Sequence, residues 1–409
     1  MKILVVSQYF WPENFRVNDL VAELVKRGHE VSVLTGYPNY PDGVVFEDFK
    51  KNSSNYSKFA GADITRVPLM PRGQGGVRLA LNYASFVASA SLFGLFKLRG
   101  RQFDCIFVFE PSPITVGIPA IVMRWAKKAP IVFWVLDLWP ESLRAVGIVK
   151  SERILRLVGA MVSFIYRRCD VILAQSRSFI VNIKKYCDPG QRVEFFPSWA
   201  EDLFGKATTV SASELASFSG RFKILFAGNI GEAQDFPAIL DAAEHLKARD
   251  DIQWILVGDG RMAGWVADEI KRRDLARTVT MLGRFPLERM PSFYAGADAL
   301  LVTLKKNDVF AMTIPGKVQS YLAAGKPLLG MLDGEGAAVI LDANAGLVCA
   351  SGRGEDLARI AHQLADAAPQ TQRSMGQAGQ AYYRKQFERE TLMTRIEEIL
   401  LNSRIVTKT

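Results

Sequence analysis

The sequence predicts an α/β chain made of two doubly wound, Rossmann-like domains, and three observations predict it. An apolar strand leading into a helix opens the chain at KILVVSQYF, and the same plan restarts at Phe222 with FKILFAGNIG. Between the two starts, Pro197 to Gly220 carries a Ser- and Ala-rich stretch that suits a linker. A chain of 409 residues is long for one core and comfortable for two.

In chain order, the first strand runs into a loop through Pro12, Glu13 and Asn14. A helix follows with Val17, Leu20, Val21, Leu24 and Val25 inward, ending at Lys26-Arg27-Gly28-His29. The strand EVSVLTG completes a βαβ unit, and CIFVF and IVFWV supply further strands. In the second half a helix is expected over Pro237 to Ala248, then strand QWILVGDG, a helix, and strand VTMLGRF. A helix over Pro291 to Gly296 and strand ALLVTL come next. Alternation with short Gly-rich turns implies parallel sheets, whose ligand loops lie at the C-terminal ends of the strands.

The last unit, TIPGKVQSYLAAGKPLLG over Thr313 to Gly330, is the most informative. Pro315 has the fixed φ suited to a helix start, and Lys317, Val318, Tyr321 and Leu322 recur at helical spacing. Gly325 ends that helix in the left-handed conformation, and Lys326-Pro327 leads into the buried strand Leu328 to Met331. Free N–H groups at a helix start beside a lysine make a seat for phosphate. The plain alternative is a turn common to α/β proteins with a solvated lysine.

Five motifs carry a family likeness: KILVVSQYFWPE, RGHEVSVLTGYPNYPDG, LDLWPES, FAGNIGEAQDF and PGKVQSYLAAGKP. Together they resemble the family-4 retaining glycosyltransferases of the GT-B fold. The likeness is nearest to the branch, fucosamine-transferase-like, that builds bacterial O-antigen, capsule and exopolysaccharide units. It spans the chain from Met1 to the last helix. YPNYPDG and PGKVQSYLAAG are more specific than RGHEV, which occurs throughout GT-B proteins.

The resemblance implies two domains facing a cleft. The acceptor domain would span 1–200 plus a returning C-terminal helix in 381–409, the latter from about Tyr382 to Asn402. The nucleotide-sugar domain would span 201–380. The implied donor is a UDP-sugar and the implied acceptor a polyprenyl-diphosphate-linked saccharide. The transfer retains anomeric configuration and takes no metal or other cofactor. Two other readings stay open, a nucleotide-sugar epimerase on the same fold and a non-enzymatic protein that binds membrane or carbohydrate.

Donor contacts are implied at Gly228, Asn229, Gln234, Arg261, Met312, Thr313, Gly316, Lys317, Gln319 and Ser320. Two departures from the family matter here. Met312 and Ser320 stand where most members carry two glutamates, and the usual Arg and Lys after the first strand of the second domain are missing. Lys317 is therefore the leading candidate to neutralise the leaving diphosphate, with Arg261 as a second. Acceptor contacts are implied at Glu13, Asn14, Arg16, Tyr37 and Asn39. Glu110 and Asp137, at the ends of CIFVF and IVFWV, are candidates to meet acceptor hydroxyls or steady a developing sugar cation. A helix-capping role for Asp137 stays open.

Charge supports the same partition. Residues 1–200 hold 26 Lys plus Arg against 16 Asp plus Glu, while the remainder holds 25 against 26. The net +9 therefore sits in the first domain. No nucleic-acid module accompanies it, so an anionic membrane surface is the better partner. Leu79 to Phe96 is eighteen residues without a charge, bracketed by Arg78 and by Lys97, Arg99 and Arg101. On a helix, Leu79, Tyr83, Phe86, Phe93 and Phe96 form a bulky stripe expected to enter the lipid interface, with Ala80, Ala84, Ala88 and Ser91 packed on the body. A buried core helix and a full span are the alternatives. The expected location is cytoplasmic, peripheral on the inner face of the bacterial cytoplasmic membrane. Four scattered cysteines without metal spacing suggest reduced thiols. The three histidines suit structural roles.

Overall fold

A computed structural model describes every residue except 74, 146, 148, 206–209 and 407–409, so part of the expected linker lies outside the described residues. The chain divides into two compact units, Met1–Phe196 with Met393–Thr409, and Pro197–Leu392.

Unit 1 holds β1 (Lys2–Val6), β2 (Glu30–Gly36), β3 (Lys58–Phe59), β4 (Ala62–Val67), β5 (Cys105–Glu110), β6 (Ile131–Val135), β7 (Val171–Ala174) and β8 (Val193–Phe195). Their order is β3-β4-β2-β1-β5-β6-β7-β8, and β3–β4 is the antiparallel pair at one edge. Strand order reverses between β1 and β5, which pair in parallel with Ile3 opposite Cys105. Apart from Lys2 at the start of β1 and Glu110 at the end of β5, both central strands are apolar because helices cover both faces of the sheet.

Unit 2 holds β9 (Phe222–Ala227), β10 (Ile252–Val257), β11 (Val279–Gly283), β12 (Ala299–Thr303), β13 (Leu328–Met331) and β14 (Gly346–Cys349). The order β11-β10-β9-β12-β13-β14 is the doubly wound arrangement, with its reversal between β9 and β12. One face of this sheet is sealed by a core that includes Phe226, Ile239, Trp254, Leu301 and Leu357.

The C-terminal region differs from the sequence expectation. In place of one helix over Tyr382 to Asn402 there are two, Pro369–Gln386 and Arg389–Val406. The first ends because the N–H groups of Phe387 and Glu388 both turn back to the Tyr383 carbonyl, at 2.7 and 3.0 Å. It stays with unit 2, where Gly376 packs so close to Gly325 that a Cβ would stand 2.1 Å from the Gly325 carbonyl oxygen. The second helix belongs largely to unit 1, tied by Glu397 to Arg27 at 2.9 Å and to His29 at 2.8 Å.

Gly76–Lys97 forms a helix, and its facing corrects the expected stripe. Phe86 is fully buried and Tyr83 nearly so, with Asn82, Ser89, Ala90 and Gly94 on the same inward face. Ala80, Ala84 and Ala88 face solvent instead. The cause lies in packing demands at the sheet. Gln8, just past β1, donates to Asn82 Oδ1 at 2.7 Å, and Gly94 lets the helix settle on Leu34 and Met123. Phe93 and Phe96 are exposed, as are Val77, Leu81, Leu92 and Leu95. Leu79 is intermediate. The helix is long and apolar enough to cross a membrane, and a third of its apolar window is buried.

Candidate active site

The pocket of unit 2 is assembled at the C-terminal ends of β9, β10 and β11, beside the point between β9 and β12 where the strand order reverses. It has a volume of about 670 Å³. Two glycines shape its floor. Gly258 sits at φ +142, and a Cβ there would stand 1.8 Å from the Gly228 carbonyl oxygen, so the two strand-end loops touch backbone to backbone. Gly228 sits at φ +139, and a Cβ there would stand 2.6 Å from Lys317 Cε. The missing side chain is the space that Lys317 fills.

The helix Gly316–Ala324 delivers that lysine. Pro315, at φ −63, starts it, and Gly325, at φ +69, stops it. Tyr321, one turn on from Lys317, locks the helix over β9: its hydroxyl accepts from Ala227 N at 3.1 Å and donates to Ala227 O at 3.2 Å. Lys317 Nζ then lies 3.5 Å from the centre of the Phe226 ring. It is buried and has no hydrogen-bond partner. Burial alone pushes its pKa down from 10.5 to about 7. An ammonium held against an aromatic face without a counter-ion is costly, and an entering anion relieves that cost. The first N–H groups of the same helix have no intrahelical acceptor and favour negative charge.

Of the sequence candidates in unit 2, the pocket brings together Gly228, Asn229, Lys317 and Ser320. Ser320 Oγ already donates to Gly316 O at 3.2 Å. Gln234, Arg261, Met312, Thr313, Gly316 and Gln319 are not among its lining residues. Gln234 holds its own turn, accepting from Gly231 N at 3.2 Å, and Thr313 Oγ1 donates to Val309 O at 2.9 Å. Gln319 is buried, and Arg261 is exposed. Sequence reasoning missed Glu201, Arg284, Phe285 and Tyr294, which complete the wall. Phe285 packs against Phe293 at 4.8 Å between ring centres, giving a firm aromatic surface beside the Arg284 cation.

In unit 1 the candidates gather at the strand ends but are held by their surroundings. Glu13 is buried and accepts backbone N–H groups of Phe10, Asn39 and Tyr40 at 3.1, 2.9 and 2.8 Å. Its carboxylate thereby ties the loop after β1 to the YPNY loop. Asn39 is buried too, donating to Tyr37 O at 2.9 Å and accepting from Arg72 N at 2.9 Å. Tyr37 packs on Phe49 at 5.1 Å. Arg16 lies 3.7 Å from Asp19, and Asn14 is exposed.

Asp137 accepts from Trp139 Nε1 at 3.1 Å and from Ser142 Oγ, so its carboxyl organises the turn that follows β6. Glu110 is fully buried at the end of β5, and one of its oxygens has no partner. Burial, then the neighbouring Asp137, raises its pKa well above the usual carboxylate value. Both effects favour its protonated, uncharged form. In that form the carboxyl can hydrogen-bond an acceptor hydroxyl, while its capacity to steady a cation is weakened.

Two doubly wound units, one with a strand-end pocket over an unpaired lysine, match the GT-B architecture, and comparison with known proteins gives the class as glycosyltransferase. A glycosyl transferase 4-like domain matches residues 14–198, and a glycosyl transferases group 1 domain matches residues 221–367. The chain is a glycosyltransferase with both of these domains. It is 26% identical over 260 residues to the probable glycosyltransferase WbjE of Pseudomonas aeruginosa, covering 62% of this chain and 63% of that one. It is 25% identical over 344 residues to the putative colanic acid biosynthesis glycosyl transferase WcaI of Escherichia coli K12, covering 80% and 82%. Among solved structures, HepE of Anabaena in complex with UDP superposes with TM-score 0.71 at 15% identity, over 98% of this chain and 100% of that one. WaaG, a glycosyltransferase involved in lipopolysaccharide biosynthesis, gives 0.65 at 14%, over 98% and 99%.

Proposed function

We propose that this glycosyltransferase moves a sugar, with retention of configuration, from a UDP-sugar to a polyprenyl-diphosphate-linked saccharide during bacterial surface-polysaccharide synthesis. The observation that carries the donor half is Lys317 Nζ, buried and unpartnered at the floor of the strand-end pocket of unit 2. A diphosphate supplies the charge that this ammonium lacks, and the aromatic surface of Phe285 suits a base. The UDP and UDP-glucose bound in HepE support the choice of nucleotide. WbjE and WcaI support the polysaccharide setting.

Retention without a protein base follows if the leaving diphosphate itself accepts the proton of the attacking hydroxyl on the same face of the sugar. The protein then positions the reactants and stabilises charge on the leaving group. Lys317 and the helix start behind it supply the second effect. The reaction takes place on the inner face of the cytoplasmic membrane, where the exposed apolar side of Gly76–Lys97 meets lipid and the excess of basic residues in unit 1 meets anionic headgroups.

A thermal-shift screen against UDP- and GDP-sugars tests the donor, because a ligand that binds the folded state alone raises Tm. A UDP-sugar is expected to give the largest rise. Transfer to a polyprenyl-diphosphate saccharide in vesicles then tests the acceptor. Equal rises with GDP-sugars, or nucleotide release without any glycosylated product, contradict the proposal.

A further inference from the structure

The chain between β4 and the helix Gly76–Lys97 builds a second concave site, wholly within unit 1. Pro68 to Pro71 runs beside the helix, leaving a groove of about 540 Å³ lined by Leu69, Met70, Ala88, Leu92 and Phe93 among others, with no charged side chain. Its two hydroxyls are already engaged. Ser85 Oγ accepts from Met70 N at 2.9 Å and donates to Asn82 O at 2.8 Å, while Ser89 Oγ donates to Phe86 O at 3.3 Å. What the groove presents is hydrocarbon.

The residue after Pro71 is Arg72, and its surroundings are of another kind. The guanidinium carbon lies 5.5 Å from the centre of the Tyr40 ring, and the group stands against the Tyr9 hydroxyl and beside Tyr83. No carboxylate forms an ion pair with Arg72 among the described residues. Of the carboxylates around this cluster, Glu13 lies near Tyr9 and is held by three backbone N–H groups, while Asp137 and Glu110 lie near Tyr83. Tyr83 connects the cation to the strand ends, because its ring lies 6.0 Å from that of Trp139, whose indole donates to Asp137.

An apolar groove walled by Pro71, directly followed in the chain by an unpaired cation framed by tyrosines, fits a molecule with a hydrocarbon tail and an anionic head. We propose that it seats the isoprenoid diphosphate of the acceptor, with the chain along Met70, Ala88 and Leu92 and the diphosphate on Arg72. The inference rests on the lipid-linked acceptor proposed above and adds where that lipid is held. The saccharide beyond the diphosphate is then directed toward Tyr83, Trp139 and Asp137. The groove shares Leu92 and Phe93 with the exposed face of the helix, and differs from it in taking the lipid as an individual ligand between the helix and Pro68 to Pro71.

The test is binding of farnesyl diphosphate to the full chain at saturating UDP, which occupies the pocket of unit 2. Ala88→Trp fills the groove from an exposed position, and Arg72→Gln removes the charge. Each is expected to weaken farnesyl diphosphate roughly tenfold or more, the scale of one charge-assisted hydrogen bond or a lost apolar contact face, and Arg72→Lys by less. Farnesol and inorganic diphosphate should each bind the wild type at least about tenfold more weakly than the conjugate. The UDP-induced rise in Tm should be unchanged in all three variants. Unchanged farnesyl diphosphate affinity in both Ala88→Trp and Arg72→Gln overturns the assignment. So does a wild type that responds to UDP but does not bind farnesyl diphosphate. Equal displacement by phosphatidylglycerol vesicles gives the groove to bulk lipid and also overturns it. Absence of any UDP response sinks the donor reading instead, and the variants still decide the groove.

Discussion

Replacing Lys317 with methionine should weaken nucleotide binding and stabilise the unliganded protein at once. The two effects share one cause. Nζ is sealed between Phe226 and Gly228 without a hydrogen-bond partner, and burial lowers its pKa from 10.5 to about 7. The unfolded chain therefore binds a proton between about pH 7 and 10.5 that the folded chain does not, and stability rises with pH across that window. At 1.36 kcal/mol per pKa unit, the ceiling on what Lys317 costs the fold below pH 7 is about 5 kcal/mol. Methionine keeps the stem and drops the charge. Recovery of even ~2 kcal/mol would raise Tm by roughly 4–8 °C for a domain of this size. The gain should be largest near or below pH 7 and shrink toward pH 10. Loss of the charge-assisted contact to diphosphate costs about 1.5–3 kcal/mol, so Kd for UDP should rise roughly 10- to 150-fold. Calorimetric titration of UDP, paired with denaturation at pH 6, 8 and 10, reads both effects. A variant that melts earlier at every pH while binding UDP normally refutes the reasoning.

Three further outcomes follow from the same geometry. Above pH 7 the wild type must take up a proton to present a charged Lys317, so UDP affinity should fall by up to about tenfold per pH unit, a dependence that Lys317→Met removes; a flat affinity from pH 7 to 9 in the wild type would count against it. Glu110→Gln should keep the fold, and its stability advantage should grow as pH rises above the usual carboxylate range, because the native chain holds a proton there that the unfolded chain releases; denaturant midpoints at pH 5 and 8 check the sign. Leu92→Ser combined with Phe96→Ser should release the protein from anionic vesicles with Tm unchanged, while Phe86→Ser should cost roughly 3–5 kcal/mol, as expected for a fully buried ring; flotation and melting curves separate the two.

Much of the fold was legible because doubly wound sheets write themselves as local alternation. The strand β9 follows from its own apolar run, and the helix start at Pro315, its Gly325 stop and Lys317 on its first turn all follow from residues within one short stretch. The pocket wall was not legible. Glu201 comes from the connection between β8 and β9, and Arg284, Phe285 and Tyr294 from that between β11 and β12, and nothing in their own neighbourhoods marks them as partners. The facing of Gly76–Lys97 was hidden for another reason. The helix is apolar on both sides, so periodicity cannot choose between them, and the polar residue Asn82 points inward to Gln8, a partner that only the folded unit supplies, while Ser89 is buried by bonding its own helix at Phe86 O. Glu13 and Asp137 stood where ligand loops belong, yet their carboxyl groups bind those loops together, a use that residue type alone does not distinguish from catalysis.

The most direct measurement is the distance from Lys317 Nζ to the nearest phosphate oxygen in a crystal structure with UDP. The account predicts about 2.8 Å, the length of a charge-assisted hydrogen bond, with Nζ drawn toward the diphosphate and the uracil against Phe285. A diphosphate seated elsewhere, with Nζ still over the Phe226 ring, would contradict it.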